Sequence, residues 1–270
     1  MSQLITVVDA FAEQPFTGNP AAVCILNAPA DEEWMRRVAR EMNLSETAFL
    51  HPQGAGGVDD GYRLRWFTPT VEIALCGHAT LASAHVLWES GRLPAGQQAR
   101  FHTMSGLLTA DRQQSDGMIV LDFPATPQQT CPAPAGLQEA LGAPMKYVGK
   151  TTFDVLVEVD SEQTVRGLTP NHSALAALPV RGVMVTSRSS DPAYDFVSRF
   201  FGPGAGIPED PVTGSAHCCL GPYWGARLDK TDLVGHQVSA RGGVVHVGVR
   251  GDRVRLGGRA VTVLRGELLA

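Results

Sequence analysis

Apolar positions along this chain fall mostly in short alternating or continuous runs of the kind strands make: 3–9, 21–26, 46–51, 62–67, 117–123, 153–159, 181–186, 194–201, 243–249 and 259–265. Helical spacing is rarer. In "DEEWMRRVAREM", residues 31–42, Met35, Val38, Ala39 and Met42 share one face behind an Asp cap. A second helix is expected from about 78 to 90, ending at Gly91, with short ones in "APAGLQEALG" and "NHSALAAL". A fifth begins near Gly214 in "GSAHCCLGPYW". The helices opened by Gly77 and Gly214 are filled with Ala, Ser, Thr and Cys, so a sheet can wrap closely around each.

A weak internal repeat underlies this order. Arg65, Phe67 and Pro69 match Arg199, Phe201 and Pro203 at a constant offset of 134. After a three-residue insertion, Gly77-His78-Ala79 matches Gly214-Ser215-Ala216. Each half reads as strand, aromatic-Pro turn, irregular loop and glycine-led helix. The expected architecture is α/β (α+β), with two pseudo-symmetric halves, each a curled mixed β-sheet around a central helix. The halves are placed at 1–123, completed by the C-terminal strand 258–270, and at 124–257, with an active site in the cleft between them. The Pro-rich stretch 124–134 is the expected linker.

Composition narrows the classes. Hydrophobic residues make up 44% and charged residues 18%, which suits a globular protein with a sizeable core. A net charge of −5 leaves no electrostatic footprint for nucleic acid or an anionic membrane. "MSQLITVVDAFAEQ" has no Lys or Arg and does not read as a signal peptide, so a cytoplasmic location is expected. The cysteines Cys24, Cys76, Cys131, Cys218 and Cys219 are odd in number, which suggests reduced thiols. Cys218, Cys219 and the preceding His217 lack metal-ligand spacing, and no metal site is expected.

The start of a helix presents unpaired backbone N–H groups, and glycine lets a ligand approach them closely. Two such starts facing one cleft would hold a small anionic substrate. Four proton carriers lie near these turns: His78, Glu46, Glu209 and Asp210. Three of them have an ordinary alternative. Glu46 in "NLSETAFL" could be a solvated strand-end carboxylate, Asp210 a turn starter before Pro211, and His78 a satisfied helix-start imidazole.

"VDAFAEQPFTGNPAAVCIL", "NLSETAFL", "RWFTPTVEIALCGHATLASAHVL", "GIPEDPVTGSAH" and "SARGGVV" strongly resemble the phenazine-biosynthesis PhzF-like proteins, in matching order from residue 7 to about 247. The resemblance implies a diaminopimelate-epimerase-like fold and an isomerase that shifts a proton on a small carboxylate-bearing metabolite, without cofactor or metal. It implies that Glu46 moves the proton as acid and base, with His78 and Asp210 as the other catalytic groups. It places the substrate carboxylate on the backbone of Gly77, His78, Gly214 and Ser215, and has Asn19 shape the cleft. It also implies a homodimer. Specificity is expected in the loops 52–61 and 202–209.

Two other readings stay open. Racemases and epimerases of this fold use two thiols, and Cys76 stands directly before Gly77, where the first would belong. Pro211-Val212-Thr213, before Gly214, offers no second. The other reading is a non-catalytic small-ligand binding protein.

Overall fold

The computed structural model describes residues 2–53 and 60–269. Residues 54–59, most of the expected specificity loop 52–61, lie outside the described residues. The chain divides into two compact units, Met1–Asp122 with Gly257–Ala270, and Phe123–Leu256.

In the first unit, neighbouring strands run in the order Ala260–Leu268, Gln3–Ala10, Asn19–Ile25, Glu46–Pro52, Tyr62–Phe67, Ala99–Thr103, Gly106–Arg112 and Ile119–Pro124. Two pairings are parallel, Asn19–Ile25 with Glu46–Pro52 and Tyr62–Phe67 with Ala99–Thr103; the others are antiparallel. Each parallel pairing needs a crossover. Helix Glu32–Met42 makes the first, and helix Gly77–Glu89 the second.

The two crossovers differ because their sequences do. Glu32–Met42 is amphipathic: Asp31 accepts the Trp34 N–H at 3.0 Å as its cap, and Met35, Val38 and Ala39 pack on Ile5, Val7, Ala22, Cys24, Phe49 and Phe67. Gly77–Glu89 has no polar face to give to water. Its residues His78–Ala84 and Val86–Trp88 are buried, and it touches strands Gln3–Ala10, Asn19–Ile25, Glu46–Pro52, Gly106–Arg112 and Ala260–Leu268. The sheet curls around this helix. Its Thr80 and Ser83 hydroxyls are satisfied by donating to the carbonyls of Cys76 and Ala79, at 2.5 and 2.6 Å.

The second unit repeats the plan. Its strands run Gln129–Thr130, Tyr147–Lys150, Asp154–Glu158, Gly182–Arg188, Phe196–Gly202, Asp232–Gln237 and Gly243–Arg250, with parallel pairings at the same two places. Its buried helix is Gly214–Leu228. Gly221 lets that helix approach the sheet, since a Cβ there would lie 2.6 Å from Val247 Cγ1. Pro222 inside the helix cannot bond the carbonyl of Cys218, and the N–H of Thr126 takes that carbonyl at 3.0 Å. The stretch expected as a linker is therefore tied to the second unit's helix, and residues 129–130 form a strand.

The repeat extends to side chains. Arg65 grips Glu72 with two hydrogen bonds of 2.7 and 2.6 Å and lies over Phe67; Arg199 grips Glu209 at 2.7 and 2.8 Å and lies over Phe201. Both pairs fix the turn ahead of the buried helix.

Several expected elements change. Strands Ala99–Thr103, Gly106–Arg112, Tyr147–Lys150, Asp232–Gln237 and Arg253–Gly258, and helix Glu162–Gly167, had no counterpart in the sequence reading. Most of these strands carry charged or polar residues on an exposed face, which blurred their alternation. The expected loop 202–209 is largely ordered as a 3-10 turn, Pro203–Ala205, and a strand, Ile207–Asp210, beside Phe196–Gly202.

Candidate active site

Side chains alternate along a strand, and this decides where Glu46 goes. Phe49 packs toward helix Glu32–Met42, so Glu46, Ala48 and Leu50 face the buried helix Gly77–Glu89. In the parallel register Ala21 lies beside Glu46, and Asn19, two residues earlier, shares that face. Gly18 sets this entry. Its φ is +66°, and a Cβ would meet the Ala10 carbonyl oxygen at 2.2 Å.

The helix starts at Gly77 on Cys76, an extended cap residue whose side chain makes no capping bond. His78 on the first turn then meets both strands. Its Nε2 lies 3.0 Å from Glu46 Oε2, and its Nδ1 lies 3.2 Å from Asn19 Nδ2 and 3.5 Å from Cys76 Sγ. Glu46 is 6% exposed, His78 4% and Asn19 0%. The Glu46–His78 contact is close but not aligned: Glu46 Oε2 and His78 Nε2 are buried with no hydrogen-bond partner among the described residues. We therefore treat it as an electrostatic contact. Two buried polar atoms side by side with unused bonding capacity are what a substrate would satisfy, and such bonds commonly tighten only in the complex.

Burial opposes charge on His78, yet the ring is held well above the ordinary imidazole range by Cys76 and Glu46. Burial, with the charge of Glu46 added, pushes the Cys76 thiol up to about 11. Near pH 7 Cys76 is therefore a neutral thiol. Ligand atoms of Glu46, Cys76 and His78 lie within 4.8 Å of one another, the one such metal-sized group among the described residues. The thiol and the carboxylate, however, sit at opposite nitrogens of the ring, an arrangement for passing or sharing protons rather than for chelation.

The second unit carries its own polar set. Asp210, 7% exposed, accepts the Thr213 hydroxyl at 2.5 Å. Gln237, fully buried, accepts the Thr213 N–H at 2.9 Å and donates to the Asp210 carbonyl at 2.7 Å. Gly214 is the first helical residue, and Ser215 Oγ follows it, 3.4 Å from Arg181 Nη2. Arg181 in turn grips Asp154. Glu209, expected among the proton carriers, is engaged by Arg199, so that expectation is corrected.

Matching the registers of the two units exposes an asymmetry. Thr47 lies opposite Phe67, and Val183 opposite Phe201, so the position of Glu46 corresponds to Gly182. A Cβ at Gly182 would collide with the Phe200 ring at 2.3 Å. Cys76 and Thr213 are the two helix caps, and His78 corresponds to Ser215. Sequence reasoning passed over Thr213 and Gln237. The repeat already aligned Thr213 with Cys76, whereas nothing in the sequence signalled Gln237.

His217, one turn into the second buried helix, hydrogen-bonds through Nδ1 to the Thr213 carbonyl at 2.8 Å. Burial pushes it down to about 4. Such a histidine is neutral when folded and protonates when unfolded below about pH 6.5, so stability is lost as pH falls from there toward 4. The full loss is about 3 kcal/mol at ~1.4 kcal/mol per pH unit. We expect His217→Gln to flatten the acid limb of a melting-temperature profile between pH 6.5 and 4.5. An unchanged limb would show that His217 does not set it.

Residues 8–266 match the family model described as phenazine biosynthesis-like protein, PhzC-PhzF. An uncharacterized isomerase of Halalkalibacterium halodurans is 54% identical over 100% of this chain and 99% of its own. The crystal structure of a PhzF family phenazine biosynthesis protein from Enterococcus faecalis superposes with a TM-score of 0.92 at 42% identity, covering 100% of both chains. A hydroxyproline epimerase from Agrobacterium vitis shares the fold, with a TM-score of 0.65 at 14% identity over 99% of this chain and 92% of that one.

Proposed function

The chain belongs to the phenazine biosynthesis-like PhzC/PhzF family, and from that premise we propose that it is an isomerase moving a proton between carbon positions of a small carboxylate-bearing metabolite, with Glu46 as the acid–base group. One observation carries the reading. Glu46 is buried against His78 in the first unit, while the matching positions of the second unit hold Gly182 and Ser215. Two-base racemisation uses opposed carriers of comparable kind. A lone carboxylate suits a shift in which a proton leaves and returns on one face of the substrate.

Glu46 takes the carbon-bound proton and delivers it to the acceptor carbon. His78, positive beside it, stabilises the negative charge that develops as the C–H bond breaks. The start of the Gly77 helix offers backbone N–H groups to a substrate carboxylate. Asp210, held by Thr213 and Gln237, is proposed as the second unit's contribution to turnover.

The Cys76 thiol, pushed up to about 11 by burial, supports this reading over a thiolate mechanism. The test is a panel of small carboxylic acids incubated with the protein in D2O and followed by NMR. At least one acid should take up deuterium at carbon, and thiol alkylation should not stop it. Ligand binding with no uptake by any bound acid would favour a binding protein instead.

A further inference from the structure

Asn19 approaches the ring nitrogen of His78 that faces away from Glu46. An amide can meet either form of that nitrogen. Its NH2 donates to a bare Nδ1; turned about its last bond, its carbonyl oxygen accepts from Nδ1–H. An Asp there could only accept from the ring when ionised, and a Leu could do neither.

We propose that Asn19 is a positioning residue that holds the His78 ring in one place in both of its protonation states, and that it directs the remaining proton of the neutral ring to Nε2, toward Glu46. The claim rests on the reading of Glu46 as the acid–base group with His78 beside it. The backbone supports it. Asn19 opens its strand directly after Gly18, whose positive φ and contact with the Ala10 carbonyl leave the entry little freedom, and it is fully buried on the face that carries Glu46.

The groups around the ring are few. Glu46 faces Nε2 from the neighbouring strand, and Cys76 faces Nδ1 from the helix cap. Asp9, on the strand beside Asn19, points to the opposite face of the sheet, where it accepts the Phe16 N–H at 2.7 Å. His85, two turns along the helix, is turned to Glu89 and Thr262. A thiol is a weak donor, so of the two groups at Nδ1 the amide governs which nitrogen keeps the proton.

This gives the ring a function during turnover. As charge builds on the substrate, His78 keeps its Nε2–H beside Glu46 in either protonation state, without swinging out of contact. A ring with only one kind of partner at Nδ1 would have to break that contact, or leave a buried polar atom unmet, in one of its two states.

The test reads the ring directly, in the substrate-free full-length protein labelled with 15N-histidine. In the parent, the neutral form of His78 should carry its proton on Nε2. In Asn19→Asp, nearly the same size, the proton should stay on Nδ1, and the ring should bind its second proton at least about tenfold more tightly. In Asn19→Leu the preference for Nε2 should disappear.

A parent ring protonated on Nδ1 when neutral would overturn the proposal. So would a proton position and midpoint unchanged in Asn19→Asp, which also decides the matter if Asn19→Leu does not fold. A preference kept in Asn19→Leu and lost in Cys76→Ala would pass the role to the thiol and overturn it as well. None of these readouts needs turnover, so they stand apart from the failure of the Glu46 assignment, which would show as proton exchange surviving Glu46→Gln.

Discussion

Glu46→Gln should lower carbon–hydrogen exchange by about 10²–10⁴-fold, the range that a positioned acid–base group supplies. The substitution keeps size and shape, and leaves an amide where a carboxylate stood. The strand is fixed by its ladder to Asn19–Ile25 and Tyr62–Phe67, and the face it presents is set by Phe49 on the other side. The fold should therefore persist. Glu46 is one of the two groups that hold the His78 ring up, so without its carboxylate the ring should also lose its proton at a lower pH than in the parent. In the parent, a His held above its unfolded value contributes stability that is complete below about pH 6.5 and lost as pH rises through the folded value. The variant should lack that alkaline loss. Loss of exchange in a variant that still melts cooperatively near pH 6 would separate chemistry from folding.

His78→Ala should be the next largest effect, slowing exchange by roughly 10–10²-fold. The figure follows from removing a charge-assisted contact of about 1.5–3 kcal/mol at ~1.4 kcal/mol per tenfold. It also leaves Glu46 buried against an empty space, which costs stability in addition. Asp210→Ala should likewise slow turnover, by breaking the set that includes Thr213 and Gln237. Cys76→Ala removes only a neutral thiol and should stay within about tenfold of the parent. Exchange rates for the three variants, measured on one substrate at one pH, check the order. Cys76→Ala falling below His78→Ala would reverse the assignment of roles.

Much of this arrangement was legible in the amino-acid sequence because it repeats. The offset that aligned Arg65 with Arg199 marked two equivalent turns, and each proved to end in a glycine-led buried helix. The pairing of Glu46 with His78 could be placed through the family motifs, but the sequence could not give the strand face that brings them together. That follows from Phe49 and from the parallel register at Ala21.

Glu209 shows the limit in the other direction. Its neighbours suggested chemistry, yet the same repeat maps it onto Glu72, and both carboxylates are spent on an arginine. Gln237 stands just before the "SARGGVV" motif but outside it, and reaches Thr213 only through strand pairing. Helix Glu162–Gly167 is too short to show a periodicity, although its Ser161 cap, which accepts the Thr164 N–H at 3.1 Å, was present to be read.

The asymmetry between the units is the feature on which the proposed chemistry depends most. Gly182 and Thr213 leave the second unit without a copy of either Glu46 or Cys76. The most direct measurement is deuterium uptake at the substrate carbon in D2O, recorded by NMR for the parent, Glu46→Gln and Cys76→Ala side by side. A site with one carboxylate as its carrier predicts uptake in the parent, uptake within about tenfold of it in Cys76→Ala, and near-complete loss in Glu46→Gln. Loss of uptake in Cys76→Ala with retention in Glu46→Gln would contradict the account and assign the proton to the thiol.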